Sequence, residues 1–240
     1  MSDFSWLYDW PAHIPNLLPG LWTAIVITVI ACSVGYVLGF FLALMTEAPL
    51  RAVRYTAVVI VEVGRGLPIL VLMYIAYQGL PQVGVLLDPM PSAIAALTYS
   101  AAAYSTEMIR AGLASVPRGQ FEAAAAVSLS RADTYRFIIV PQAARISIPP
   151  LVNLTITIFQ ATSLATVITV SEIMHHAYLS GSINFQYMSV YVAAAVLYLS
   201  ITLPGAILTG YLEKNLGSPT KNARRTSIRK RVTTKTPAGV

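Results

Sequence analysis

The stretch from Gly20 to Met45, GLWTAIVITVIACSVGYVLGFFLALM, contains no charged residue. A helix rises about 1.5 Å per residue, so about 20 such residues cross the roughly 30 Å hydrocarbon core of a bilayer. The run is too continuous for the in–out alternation of a barrel strand, and helix is the remaining way to satisfy every backbone group in lipid. Four more runs follow. The second, roughly Tyr55–Leu80, contains Glu62 and Arg65, and the third, about Met90–Ile109, contains Glu107. The fourth, Ile146–Val170, and the fifth, Tyr187–Leu212, are uncharged. The pattern predicts an all-α integral membrane protein with five spans. Composition agrees, with 56% hydrophobic and 11% charged residues where a soluble domain carries about a quarter charged.

Basic residues predict the orientation. Of 16, only Arg65 falls inside a span. Arg51 and Arg54 lie between spans one and two; Arg110, Arg118, Arg131, Arg136 and Arg145 lie between spans three and four; eight more follow span five. With five spans these all share one side, so the positive-inside rule puts the N-terminus outside and the C-terminus in the cytoplasm. Residues 1–19 have no basic n-region or cleavage site before the first run, and read as a retained extracytoplasmic segment. Residues 20–213 form the membrane domain. Residues 214–240 read as a basic, disordered tail attracted to anionic lipid; without aromatic residues for base stacking, they offer nothing specific to nucleic acid. The single cysteine, Cys32, excludes an internal disulfide, and His175 and His176 have no metal-ligand spacing with further His or Cys.

Ionisable groups inside spans are candidates for function. Glu62 and Arg65 share a helix face at i, i+3, beside the Gly64-Arg65-Gly66-Leu67-Pro68 interruption. This is either a structural ion pair or a site where a guanidinium grips a carboxylate in bidentate fashion. Glu107 and Arg110 repeat the spacing and read as a gating or structural ion pair or, for Glu107, an amine ligand. In span four, Asn153, Thr157, Gln160 and Ser163 follow one flank, and Thr162, Thr166 and Thr169 another. Such stripes serve as interhelical glue or line a path; Gln160, Thr162 and Ser163 join Glu62 and Arg65 as candidate substrate contacts. Glu172 closes span four on the outer side, where solvent is expected to reach it.

The loop between spans three and four, about 118–138, reads differently. EAAAAV (Glu122–Val127) is a strong helix former, and Ser130 with Asp133 three residues on fits a capping box. Two short helices joined near Ser128-Leu129-Ser130 would form a rigid knob, with Leu129, Tyr135, Phe137, Arg131 and Arg136 available to a cytosolic partner. Glu122-Ala123-Ala124, then Ser128 four residues later, Leu129-Ser130 and Ile139-Val140-Pro141 resemble the EAA loop of ATP-binding-cassette importer permeases. AAYSTEMIRAGLASVPRGQFEAA (Ala102–Ala124), IVPQAARISIPPLVN (Ile139–Asn153), TSLATVITVSE (Thr162–Glu172) and RGLPILVL (Arg65–Leu72) extend the match. They are similar to the polar amino acid uptake permeases of the histidine/arginine/glutamine type. The resemblance implies a type I importer fold in the bacterial inner membrane, with Glu122, Ala123, Ala124, Ser128, Leu129 and Arg131 in an ATPase-coupling helix region. It also implies two ATPase subunits, an extracytoplasmic binding protein and a second permease, identical or homologous.

The chain departs from that pattern at several positions. Ser128 stands where the loop usually has glycine, so a tight left-handed turn is less favoured there. Leu67 replaces Thr, Leu72 replaces a glutamine, and Gln160-Ala161 replace a Lys-Asp or Lys-Asn pair. No G-x-x-x-x-G-K-[ST] and no nucleophile–base motif occurs, so no ATPase or other enzyme activity and no cofactor is expected. A membrane scaffold that recruits a cytosolic protein without transporting is the alternative.

Overall fold

The computed structural model describes residues 6–216; residues 1–5 and 217–240, which include nearly all of the expected basic tail, lie outside the described residues. Among the described residues every regular element is helical. Two short turns, Trp6–Asp9 and Trp10–His13, lead into α1 (Ile14–Thr46). Then come α2 (Arg51–Gly66), α3 (Ile69–Tyr74), α4 (Pro89–Ala114) and α5 (Arg118–Ala126). The chain continues as α6 (Val140–Ala161), α7 (Ile173–Asn184) and α8 (Tyr187–Leu216).

Three helical rods are long and apolar enough to cross a membrane: Trp10–Thr46, Arg131–Ile168 and Tyr187–Leu216. Helices Arg51–Gly66 and Ile69–Val83 supply a fourth if the pair, bent by 105°, is one span. The expected third span, α4, has 26 residues and is long enough at about 39 Å, but Ser92, Thr98, Ser100, Ser105 and Thr106 dilute its hydropathy. Its position explains why that is tolerated. It packs against α1 and then α6, and all of these but Thr98 are buried, so its polar groups meet other helices instead of lipid.

Small residues bring α4 and α1 together. Gly35 and Gly39, one turn apart on α1, form the small-xxx-small pattern that lets membrane helices approach closely. A Cβ added at Gly35 would lie 2.7 Å from the Ala101 Cβ, and one at Gly39 would lie 2.8 Å from the Ala102 carbonyl and overlap the Ser105 hydroxyl. At this crossing the Thr106 hydroxyl lies 2.8 Å from the Ala102 carbonyl of its own helix and 3.2 Å from the Gly39 carbonyl across the interface, sharing one proton between them. Three apolar clusters fill the bundle. One joins α1, α3, α4 and α6 through Ile27, Met73, Leu97 and Ile158. Another joins α1, α6, α7 and α8 through Leu17, Phe159, Ile173 and Val190. A small third one, Val116, Ile139 and Ala143, closes the α5 end.

Two elements differ from the sequence reading. The second expected short helix after Ser130 is not separate: Arg131–Ile168 is one continuous helical rod, carried through a π-helical stretch, Thr134–Ile139. Apolar Ile138 and Ile139 pack at the α5 end, and the rod continues through Pro141, Pro149 and Pro150 despite their lost hydrogen bonds. The segment after Glu172, expected as a loop, forms α7 packed on α1 and α8.

Candidate functional site

The break in the second span places Arg65. Pro68 cannot donate to the Gly64 carbonyl, and Leu67 and Pro68 are extended, with ψ of 136° and 138°. The end of α2 is fastened to α4 on either side of the ion pair. The Tyr99 hydroxyl donates to the Ile60 carbonyl at 2.7 Å and the Tyr104 hydroxyl to the Arg65 carbonyl at 3.2 Å. Between them Gly64 admits Ala103, whose Cβ would stand 2.7 Å from an added Cβ. Held this way, Arg65 Nη1 donates to Glu62 Oε1 at 3.1 Å, and the side chains are 34% and 62% exposed. Arg65 Nε is buried without a hydrogen-bond partner. The guanidinium therefore keeps donor capacity beyond its ion pair, next to the break between α2 and α3.

Glu107 and Arg110 pair at 2.7 Å, both partly exposed. Arg110 also lines a cavity of about 340 Å³ with Glu47, Leu113, Phe121 and Tyr135. On α6, Asn153, Thr157 and Gln160 are exposed along one face. Lipid is a poor environment for an exposed amide stripe, so this face suits water or a protein partner.

Beyond Ala161 the rod tightens into a 3₁₀ helix, Thr162–Ile168. With three residues per turn, the flank expected from α-helical spacing no longer holds. Thr162 is fully buried and donates to the Phe159 carbonyl at 2.7 Å, whereas the half-buried Ser163 donates to the Gln160 carbonyl at 2.8 Å. The segment ends at Thr169, in the left-handed region at φ 65°.

Glu172 is not solvated. It is 0% exposed and caps α7, accepting from the Met174 and His175 backbone N–H groups at 2.9 and 2.8 Å. The Tyr198 hydroxyl of α8 donates to it at 3.0 Å. α1 closes over this link at Gly20, where an added Cβ would stand 2.6 Å from the Glu172 backbone. The carboxylate ends up inside because α7 folds back against α1 and α8 and seals it from solvent. It lies between the spanning rods, and burial pushes its carboxyl up to about 7, opposed by the three donors. Sequence reasoning missed Tyr198, Tyr99 and Tyr104, since a tyrosine within an apolar run carries no polar signature.

At the α5 end, Glu122 and Ala123 are exposed and Ala124 is buried. Helix α5 ends in a Schellman turn, with Leu129 N–H bonded to the Ala124 carbonyl at 3.1 Å and Ser128 N–H to the Ala125 carbonyl at 3.0 Å. The turn requires a left-handed residue, and Ser128 adopts φ 57° despite its side chain. The glycine geometry is thus kept without glycine. Phe121, Ala125, Leu129, Arg131, Thr134 and Tyr135 line a cavity of about 350 Å³. The Ser130 hydroxyl accepts from Asp133 N–H at 3.1 Å and donates to its carboxylate at 2.6 Å, a capping pair. Gln142 bridges to Gln120 at 3.1 Å. The elbow is therefore rigid, and it presents Val127, Leu129, Tyr135 and Phe137 outward.

A helical membrane bundle with a charged, broken span and a stiff elbow at one end has the parts of a transport subunit. The chain belongs to the family of binding-protein-dependent transport system inner membrane components, whose model matches residues 35–218, and it is a multi-pass permease subunit of an ABC importer. It is 36% identical over 200 residues to a probable amino-acid ABC transporter permease of Bacillus subtilis (strain 168), covering 83% of this chain and 88% of that one. It is 35% identical over 231 residues to an octopine transport system permease of Rhizobium meliloti, covering 92% and 94%. Its structure matches that of an amino acid ABC transporter crystallised with histidines, at a TM-score of 0.80 and 29% identity, covering 90% and 99%. The inward-facing MetNI methionine ABC transporter shares the fold at a TM-score of 0.67 and 20% identity. These comparisons lend no support to a non-transporting scaffold.

Proposed function

We propose that this permease carries polar amino acids or related zwitterions, and that Arg65 anchors the substrate α-carboxylate. The observation that carries the reading is the Arg65–Glu62 pair at the 105° break. Glu62 offsets the charge when the site is empty, and the guanidinium donors that the pair leaves uncommitted suit a carboxylate. Gln160 and Ser163 read the rest of the molecule without adding charge, which favours a neutral over a cationic side chain. The relatives named above, an amino-acid permease and an octopine permease, support this substrate class.

The working complex comprises ATPase subunits, an extracytoplasmic binding protein and a second permease, homologous or identical. The 118–138 region docks on an ATPase subunit through Glu122 and the apolar residues around Leu129. The N-terminus lies outside and the C-terminus in the cytoplasm. ATP is hydrolysed in the separate subunits, not in this chain.

The test is Arg65→Met in proteoliposomes containing permease, ATPase and binding protein. Uptake is expected to be lost while the binding protein still docks and basal ATP hydrolysis persists. Normal uptake by Arg65→Met would reduce Arg65 to half of a structural pair. Glu122→Lys separates the coupling reading from the substrate reading, because it should leave substrate-stimulated ATP hydrolysis disconnected from uptake.

A further inference from the structure

We infer that the coupling-elbow end of the bundle holds a phospholipid with an ethanolamine headgroup. Its phosphate sits on Arg110, its ammonium on Glu47, and an acyl chain lies in the apolar groove between α1, α4 and α6. The proposed orientation enters only in assigning this lipid to the inner leaflet.

Two cavities meet at Leu113, which lines both. The groove, about 140 Å³, is lined by Phe40 of α1, Ile109 and Leu113 of α4, and Val140, Ile148 and Leu151 of α6, with small residues between them. Its one hydroxyl, Ser147, donates to the Met108 carbonyl at 3.2 Å, so the groove offers a ligand only apolar contact. The second cavity, about 340 Å³, carries the charges. Glu47 directly follows α1, and Arg110 lies one turn before the end of α4. Phe121 of α5 and Tyr135, edge to face at 6.0 Å, line its elbow side. The charged cavity thus lies where two spanning helices end, and the groove leads from it about 16 Å along α6 toward the middle of the membrane. A charged mouth on an apolar groove is the shape of a lipid headgroup with its chain.

The faces of α6 say what covers the groove. At 3.6 residues per turn, Val140, Ala144, Ile148 and Leu151 fall on the side opposite Asn153, Thr157 and Gln160. The amide stripe suits water or a protein partner. The groove side, with Phe40, Val140 and Ile148 exposed, suits acyl chains.

Charge selects the headgroup. Arg110 gives Nη2 to Glu107, and its other N–H groups remain for phosphate oxygens. Among the described residues Glu47 has no ion-pair partner, since the two pairs are Arg65–Glu62 and Arg110–Glu107. Counted with Glu107, the mouth carries one positive and two negative charges. An anionic glycerol headgroup would add to that imbalance, whereas an ammonium offsets it. Choline has the charge but no N–H to donate to the Glu47 carboxylate. Ethanolamine has both. In place, the headgroup touches α1, α4, α5 and the rod at Tyr135, and so joins the elbow to the bundle.

The probe is phosphatidylethanolamine with a photoreactive diazirine in the middle of one acyl chain. The permease complex with its ATPase subunits is reconstituted in phosphatidylcholine vesicles holding a trace of the probe, illuminated, and mapped by peptide mass. Label is expected to concentrate in the peptides containing Ile109–Leu113 and Val140–Leu151. Unlabelled phosphatidylethanolamine should displace it several-fold more effectively than phosphatidylglycerol or phosphatidylcholine with the same chains. Glu47→Gln should lower labelling roughly three- to tenfold and abolish the preference over phosphatidylglycerol. Ala144→Phe fills the groove and should lower labelling whatever the headgroup. Melting temperatures monitor folding, and Glu47, exposed at the end of α1, decides the matter if Ala144→Phe does not fold.

Label spread over all the spanning helices and not displaced by any lipid overturns the site and leaves bulk lipid contact only. Equal displacement by phosphatidylglycerol, or unchanged labelling in Glu47→Gln, overturns the ethanolamine assignment. Absence of label from both peptides overturns the proposal as well, and a disulfide between two Ile148→Cys copies would then give the groove to a second permease. A reversed orientation, read from reporter fusions, would move the site to the other leaflet and leave the labelling pattern as it is.

Discussion

Adding a single methyl group at Gly39 tests whether the α1–α4 crossing is as tight as described. The new Cβ would overlap the Ser105 hydroxyl, lie 2.8 Å from the Ala102 carbonyl oxygen and 3.2 Å from the Ser105 Cβ. The Ser105 hydroxyl can rotate away, but the carbonyl and the Cβ are fixed to the helix, so α4 has to move. Overpacking of this kind costs about 1–3 kcal/mol. Displacing α4 also weakens the Thr106–Gly39 contact at 3.2 Å, which shares its proton with the closer Ala102 carbonyl, a change worth at most about 0.6 kcal/mol in a membrane protein. A glycine-to-alanine change in a helix brings its own gain of about 0.5–1 kcal/mol, so a control with the same gain and no clash is needed. Gly210 on α8 has nothing within 4 Å of an added Cβ. Gly39→Ala should therefore be less stable than Gly210→Ala by about 2–3 kcal/mol, roughly 30- to 150-fold in the unfolding equilibrium. Both can be measured by denaturant titration in mixed micelles with helical circular dichroism as the readout. Adding Ser105→Gly to Gly39→Ala should recover only part of the loss, because the Ala102 carbonyl remains. Equal stability of the two alanine variants would show that α1 and α4 are not in contact at Gly39.

Ser128→Gly removes a left-handed strain of about 1–2 kcal/mol and adds about 0.5–1 kcal/mol of backbone entropy cost, so it should raise the melting temperature slightly. A lower value would mean the Ser128 side chain contributes something the turn needs. The carboxyl of Glu172 is raised from 4.5 to about 7, so the folded protein keeps a proton that the unfolded chain releases. The stability it adds is full below about pH 4.5 and is lost as pH rises through about 7. Melting curves at pH 5 and pH 8 should show wild type less stable at pH 8, by at most about 3 kcal/mol, and Glu172→Gln should show no such difference. Reporter fusions at Gly84 and Ser182 should report the outside and one at Ser218 the cytoplasm. A cytoplasmic signal at Ser182 would refute the proposed orientation.

The parts of the fold written in short-range chemistry were legible. The uncharged runs of α1 and α8 marked spanning rods, and Pro68 after two glycines marked the break between α2 and α3. Ser130 caps Asp133 N–H as the spacing predicts, and the Asp133 carboxylate accepts from the Ser130 hydroxyl, so only half of the expected capping box forms. What was not legible depended on distant partners. α7 had been read as a loop because its 12 residues are too few to span. Glutamate is also not among the favoured N-cap residues, so Glu172 gave no start signal. Its burial comes from Gly20 and Tyr198, far away in the chain.

The same distinction separates the two charged pairs from the buried carboxylate. Glu62–Arg65 and Glu107–Arg110 lie one turn apart, and their spacing alone predicted contacts at 3.1 and 2.7 Å. Glu172 looked like the least constrained of the acidic candidates because it sits at the end of a run, where solvent would be expected. The structure reverses that order, since the two paired glutamates are exposed or half-buried and Glu172 is sealed. A carboxylate that can stay partly hydrated leaves its guanidinium free to exchange partners, as an anchoring site for a travelling carboxylate requires. A sealed carboxylate cannot exchange partners without opening α7 away from α1 and α8. On the proposed reading, substrate anchoring belongs at the break between α2 and α3, and the sealed Glu172 belongs to the packing of α7 against α1 and α8.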